Sequence, residues 1–165
     1  ALMIDEAPAI FVALEQSSLG AAIRQSVWLF PVANVGHILS LVVFAGAVAV
    51  MDVRLLGGLA ATSPARVTAR ARRIVIAGFV LMVLTGFVLF TAEASHLVLN
   101  PVFQFKAALI GAGLANIAVF ESGAMRAVAN LPPGAAMPTG ARLAAMLSFG
   151  IWIAVAACGR SIAYF

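Results

Sequence analysis

Residues 27–50, VWLFPVANVGHILSLVVFAGAVAV, run for 24 residues with His37 as the only side chain able to carry a charge. A hydrocarbon core about 30 Å thick takes ~20 residues of helix at ~1.5 Å per residue. This stretch is therefore long enough to cross a bilayer. Three further apolar runs, at 74–92, 103–121 and 143–159, meet that length or come near it. The chain as a whole is 64% hydrophobic and 10% charged, with a mean hydropathy of +1.10, which no soluble globular domain shares. The expected fold class is all-α: a four-helix transmembrane bundle, up-down-up-down, over residues 27–165, with an N-terminal interfacial amphipathic helix within residues 1–26. Short loops make sequential helices antiparallel neighbours.

The charge balance is basic, with ten Lys and Arg against six Asp and Glu, and the pI is about 10.7. In a soluble protein that balance points to nucleic acid. Here the bases sit in the loops, so topology explains them and no nucleic-acid partner is expected. Arg54, Arg66, Arg70, Arg72 and Arg73 follow the first run, and Arg126 and Arg142 separate the third from the fourth. The opposite side holds Arg24, Lys106 and Arg160. Seven against three is a positive-inside bias. It predicts a multi-pass protein of a bacterial inner membrane with both termini periplasmic. Asp5, Glu6 and Glu15, with no basic leader, argue against a cleavable signal peptide at the start of the sequence.

Residues 6–24, EAPAIFVALEQSSLGAAIR, are too polar to span. They read as an interfacial helix broken near Ser17–Ser18 by a fresh N-cap, forming either a lid on the bundle or a docking helix for a partner. Trp28 and Phe30 fall at the headgroup level, and Tyr164 and Phe165 do the same at the far end. Asp52 and Arg54 close the first span, Gly57 and Gly58 break it, and Ser63–Pro64 reads as N-cap and N1 of a new helix start. The arginine run that follows reads as a lipid-headgroup anchor. Asn100–Pro101 forms the same cap-and-start pair before the third span. The segment NLPPGAAMPTGAR, from Asn130 to Arg142, reads as a linker.

Chemistry has few places to reside. Cys158 is the single cysteine, so no internal disulfide or cysteine-rich metal site forms. No phosphate-cradling loop, CxxC, HExxH or nucleophile–base pair occurs, and a stand-alone catalytic activity is not expected. Asn34, His37 and Ser40 recur every three residues and share one arc of the first helix. Gly78, Thr85, Leu89 and His96 fall on one stripe of the second, leaving room for something flat or for close helix packing. His37 and His96 are the only histidines. Two imidazoles on neighbouring helices are what a six-coordinate haem b requires, although helix rise sets them on the order of 12 Å apart along the membrane normal. The alternative grouping is Glu93, His96 and His37 as metal ligands, with Lys106 nearby, in a pocket opening to the periplasm. Its counterpart is a solvated helix end with a snorkelling Lys106. Trp152, mid-run in the fourth span, either fills the core or walls a ring-shaped cofactor.

The segment Trp28–Gly58, WLFPVANVGHILSLVVFAGAVAVMDVRLLGG, followed by NPVFQFK at 100–106, resembles an uncharacterised family of small four-helix bacterial inner-membrane proteins. In that family a histidine stands at the position of His37, ahead of an aliphatic run and a D-x-R-L-L-G turn. An acidic residue often precedes the histidine by three, where this chain has Asn34. A looser likeness is to copper-resistance D and cytochrome b561-type bundles, whose helix-borne histidines bind haem or metal. The resemblance implies topology above all. Three functions are expected from the residues. The first is a b-type haem-binding electron-transfer protein, with His37 as principal ligand, His96 as a second, Asn34 and Trp152 beside the cofactor, and a quinone or periplasmic redox partner. The second is a non-catalytic accessory or scaffold subunit, in a homo- or hetero-oligomer. The third is periplasm-facing metal handling or small-solute transport.

Overall fold

Two helix starts fall where a side chain supplies a cap among the described residues. In the computed structural model, which describes residues 7–164, α1 spans Ala9–Gln16 and α2 spans Ser18–Gln25. Ser17 between them is extended, and its Oγ accepts the Gly20 amide at 3.2 Å, so one of the orphan donors of α2 is satisfied. The long helices are α3 (Leu29–Leu55), α4 (Pro64–Ala92), α6 (Pro101–Ser122) and α8 (Thr139–Ser161). Two six-residue helices, α5 (Ala94–Leu99) and α7 (Ala124–Ala129), stand beside α6, and a 3₁₀ turn at Ile162–Tyr164 ends the described chain. Asn100 Oδ1 accepts the amides of Val102 and Phe103 at 2.9 and 3.1 Å, and Pro101 supplies the fixed φ of the first helical position of α6.

The chain is all-helical over the described residues, and its four long helices are each long and apolar enough to cross a membrane. It is a polytopic membrane protein. The spans are longer than the apolar runs alone. α4 starts at Pro64, so Arg66, Arg70, Arg72 and Arg73 belong to the same 29-residue helix as the apolar stretch. At ~1.5 Å per residue that helix is ~43 Å long, and its arginine turns project beyond a ~30 Å hydrocarbon layer.

α3 packs along α4, α6 packs along α8, and a contact between α3 and α8 joins the two pairs. The core at mid-bundle is built on Phe44, Met82, Trp152 and Val155. Trp152 is 7% exposed and meets Phe44 edge to face, with centroids 4.7 Å apart. A Cβ on Gly113 would lie 2.9 Å from the Trp152 ring, so the indole fits only because α6 has no side chain there. Without water to drive association in lipid, such contacts and the close approaches that glycine permits hold the helices together. A second cluster of Leu55, Phe120, Val128, Ala141 and Ala145 closes the arginine end, with α7 as its floor. Arg72 and Glu121 pair there at 3.2 Å, joining α4 to α6. Both are partly exposed, so the pair contributes at most about 1 kcal/mol.

Asp52 and Arg54 lie inside α3 and are each 1% exposed. Arg54 Nη2 donates to the Thr62 carbonyl at 3.0 Å, which folds the 56–63 turn back over the helix end. Gly57, at φ +104°, lets the chain reverse there. Asp52 lies against Ser148 of α8.

α1 and α2 lie over the opposite end. Arg24 Nη1 donates to the carbonyl of Ala92, the last residue of α4, at 3.2 Å, and to Glu15 O at 2.7 Å. Glu15 Oε2 accepts from the Ser95 amide at 2.8 Å and the Ser95 hydroxyl at 2.5 Å, in the first turn of α5. Each charge meets the helix end that its sign favours. The Ser95 bonds hold Glu15 below the usual carboxylate range. This contribution is complete above the ordinary value of 4.5 and is lost as pH falls through the lowered one. Glu15→Gln is expected to speed hydrogen exchange at the Ser95 amide several-fold at pH 7, and acidification of the wild type below the lowered value is expected to do the same. Unchanged Ser95 protection in Glu15→Gln would show that the lid is held by packing alone.

Candidate functional site

His37 stands on α3 eight residues past its start, facing α4. Its Nδ1 is 3.0 Å from Thr85 Oγ1. The Thr85 hydroxyl has one proton to give and lies 2.7 Å from the Leu81 carbonyl and 3.3 Å from that of Met82. With that proton on Leu81, Thr85 accepts from His37 and the ring proton belongs on Nδ1, an assignment made from heavy-atom distances. Nε2 keeps its lone pair. A half-buried imidazole, oriented by one hydrogen bond and offering its other nitrogen, is the arrangement of a metal-ligating histidine.

The backbone makes room for this. A Cβ on Gly86 would lie 3.1 Å from His37 Cε1, and one on Gly36 would lie 3.3 Å from the Thr85 methyl. Gly36–His37 on α3 thus meshes with Thr85–Gly86 on α4. Lys106 stands on α6. Its Nζ lies over Gly159 of α8, where a Cβ would be 3.5 Å away.

The polar residues along the first span do not form one cluster. Ser40 is buried, and its hydroxyl donates back to the Gly36 carbonyl at 2.7 Å. Asn34 is exposed and makes no side-chain hydrogen bond among the described residues. On α4 the expected stripe keeps Gly78 and Thr85 toward α3 and stops short of His96, because the helix ends at Ala92. Glu93, at φ −142° and ψ 36°, separates α4 from α5. His96 therefore sits on a separate six-residue helix, where both it and Glu93 are exposed. Among the described residues no three His, Cys, Asp or Glu side chains are grouped to hold a metal ion. Trp152 belongs to the packed core, against Phe44, Phe79 and Gly113.

Sequence reasoning assigns Thr85 no partner, only a small side chain that leaves space. The signal for its role is a Gly-His pair on one helix and a Thr-Gly pair on the next. Two close-approach glycines flanking a histidine and a hydroxyl let those side chains meet. Asp52 and Arg54 are likewise more than the helix end that their position suggests: both are buried, and Asp52 Oδ2 and Arg54 Nε have no hydrogen-bond partner among the described residues.

No curated protein and no solved structure matches the chain. One family profile, described as a family of unknown function (DUF6644), matches residues 15–165. That match takes in α2 to α8 and every residue of the His37 site, and the chain belongs to this family of unknown function.

Proposed function

We propose that this protein is a membrane-embedded cofactor protein in which His37 Nε2 would hold the iron of a b-type haem. It then serves one-electron transfer with a quinone or with a redox partner at the same face of the membrane. The observation that carries this reading is the pair of contacts from His37 Nδ1 to Thr85 Oγ1 at 3.0 Å and from Thr85 Oγ1 to the Leu81 carbonyl at 2.7 Å. With the ring proton on Nδ1, these contacts orient the ring and leave Nε2 available as a ligand. A bound haem supplies the redox chemistry, and the protein orients the imidazole and shields it among apolar helices. Asn34, one turn earlier on α3, is placed to hydrogen-bond the polar edge of such a group. Trp152 has a packing role. His96 becomes a second ligand only if the junction at Glu93 folds inward, since Ala92 already lies ~10 Å of helix rise beyond Thr85.

The test is titration of haemin into detergent-purified protein, read at the Soret band. Wild type and His96→Ala are expected to saturate at one haem per chain, and His37→Ala is expected to lose the transition. Thr85→Val is expected to weaken binding by about 10- to 100-fold, the usual cost of losing the group that orients a ligand. A His37→Ala titration that matches wild type overturns the reading.

A second reading, as an accessory subunit, is favoured by Asn34. An exposed amide within a span, with no partner among the described residues, is costly toward lipid and is satisfied by a neighbouring helix. Asn34→Cys is then expected to cross-link to another chain in native membranes, and a purely monomeric product sinks that reading. The positive-inside count supports an orientation with the arginine end in the cytoplasm and both termini in the periplasm of a bacterial inner membrane. Thiol labelling of single-cysteine variants in intact cells tests that orientation.

A further inference from the structure

The arginine end of α4 carries a feature that the His37 site does not use. Arg66, Arg70, Arg73, Ala77 and Leu81 recur at intervals of four and three, so they form one stripe down the helix, and all five are exposed. Arg66 and Arg70, with Thr62 and Ser63, line a cleft of about 370 Å³ at the start of α4. Neither guanidinium has a hydrogen-bond or ion-pair partner among the described residues, whereas Arg72, on another face, pairs with Glu121. The Ser63 side chain, at the N-cap of α4, caps no amide of that helix.

One turn further along the stripe, Arg73 heads a second groove, of about 360 Å³, between α3 and α4. Below Arg73 this groove is walled almost entirely by carbon, from Leu39 and Val43 on one side and Ala77 and Leu81 on the other. Depth decides what such a pair of sites can hold. Measured ~20 residues back from the end of α4 at Ala92, the hydrocarbon boundary falls near Arg73. Arg66 and Arg70 then lie at headgroup level, and Ala77 to Leu81 lie at acyl-chain level. A soluble anion would use the cleft and leave the groove unexplained.

The geometry points to a built site for one anionic glycerophospholipid, with its phosphate on Arg66 and Arg70, its glycerol level at Arg73, and one acyl chain in the groove between α3 and α4. This inference is independent of any cofactor at His37.

The test follows the melting temperature of detergent-purified protein against added dioctanoyl phosphatidylglycerol, dioctanoyl phosphatidylcholine or inorganic phosphate. Phosphatidylglycerol is expected to raise it saturably, with an apparent affinity about 30-fold above that for phosphatidylcholine, as two surface arginines imply. Arg66→Gln with Arg70→Gln is expected to erase that preference, and Arg66→Lys with Arg70→Lys is expected to retain most of it. Ala77→Phe, which fills the groove from an exposed position, is expected to abolish the response to diacyl lipid. Melting temperature and helical content without lipid verify that each variant is folded, and the lysine pair carries the comparison if the glutamine pair is not. Equal responses to the two lipids overturn the proposal, as does a phosphatidylglycerol response unchanged in folded Ala77→Phe. A full response to inorganic phosphate alone replaces the lipid by a free anion and overturns it as well.

Discussion

Gly78→Leu is expected to separate α3 from α4 and to cost about 3 kcal/mol of bundle stability, at the upper end of what overpacking usually exacts. A Cβ at position 78 would lie 3.1 Å from Phe44 Cβ and 3.2 Å from Phe44 Cα and N. Those atoms include backbone, which cannot rotate aside, so the helices themselves must move. Movement there pulls Thr85 from His37 and opens the core at Phe44. Gly46 provides the matched control, since nothing lies within 4 Å of the Cβ it would gain. Unfolding in mixed micelles of rising SDS content is expected to show a large loss for Gly78→Leu and little for Gly46→Leu. Equal losses would mean that helix propensity or lipid contact, rather than interhelical approach, governs both positions.

Trp152→Ala is expected to cost about 3 kcal/mol, the low end for an aromatic truncation in a packed core. The low end applies because the reference state in lipid is also apolar, so the contact loss and cavity terms remain while the transfer term is largely absent. The partner is specific. Gly113→Leu in the wild type drives its side chain into the indole, because even a Cβ at position 113 would lie only 2.9 Å from Trp152 Cζ2. In the Trp152→Ala background the same leucine enters the space that the indole leaves. The double variant is therefore expected to be more stable than the sum of the two losses, with a coupling of about 1–3 kcal/mol. Strict additivity would show that Trp152 and Gly113 do not share one packing site.

What is legible in the sequence is what local chemistry decides. The four spans follow from runs of apolar side chains, the starts at Ser18 and Pro101 follow from the cap residues Ser17 and Asn100, and the start at Pro64 follows from the fixed φ of proline at the first helical position. The end of α4 is not legible. Nothing in FTAEASHLVL forbids a helix continuing through His96. The stop at Glu93 coincides with two contacts from distant sequence, Arg24 on the Ala92 carbonyl and Glu15 on Ser95. The burial of Asp52 and Arg54 is non-local in the same way, since it depends on the 56–63 turn folding back and on α8 bringing Ser148 alongside. For the candidate site, the spacing of Asn34, His37 and Ser40 singles out the helix that carries His37. It does not show that Ser40 is satisfied by its own backbone while His37 reaches across to Thr85. That distinction rests on two interhelical close approaches, which a one-dimensional pattern does not encode.

If His37 presents a free Nε2 to a haem, the protein carries its own chromophore. The decisive observation is the absorption spectrum of protein purified in mild detergent from cells supplied with ample haem, recorded oxidised and then dithionite-reduced. A Soret band with sharp α and β bands on reduction is expected, all absent from His37→Ala purified in the same way. A folded, colourless wild-type protein would contradict haem ligation at His37.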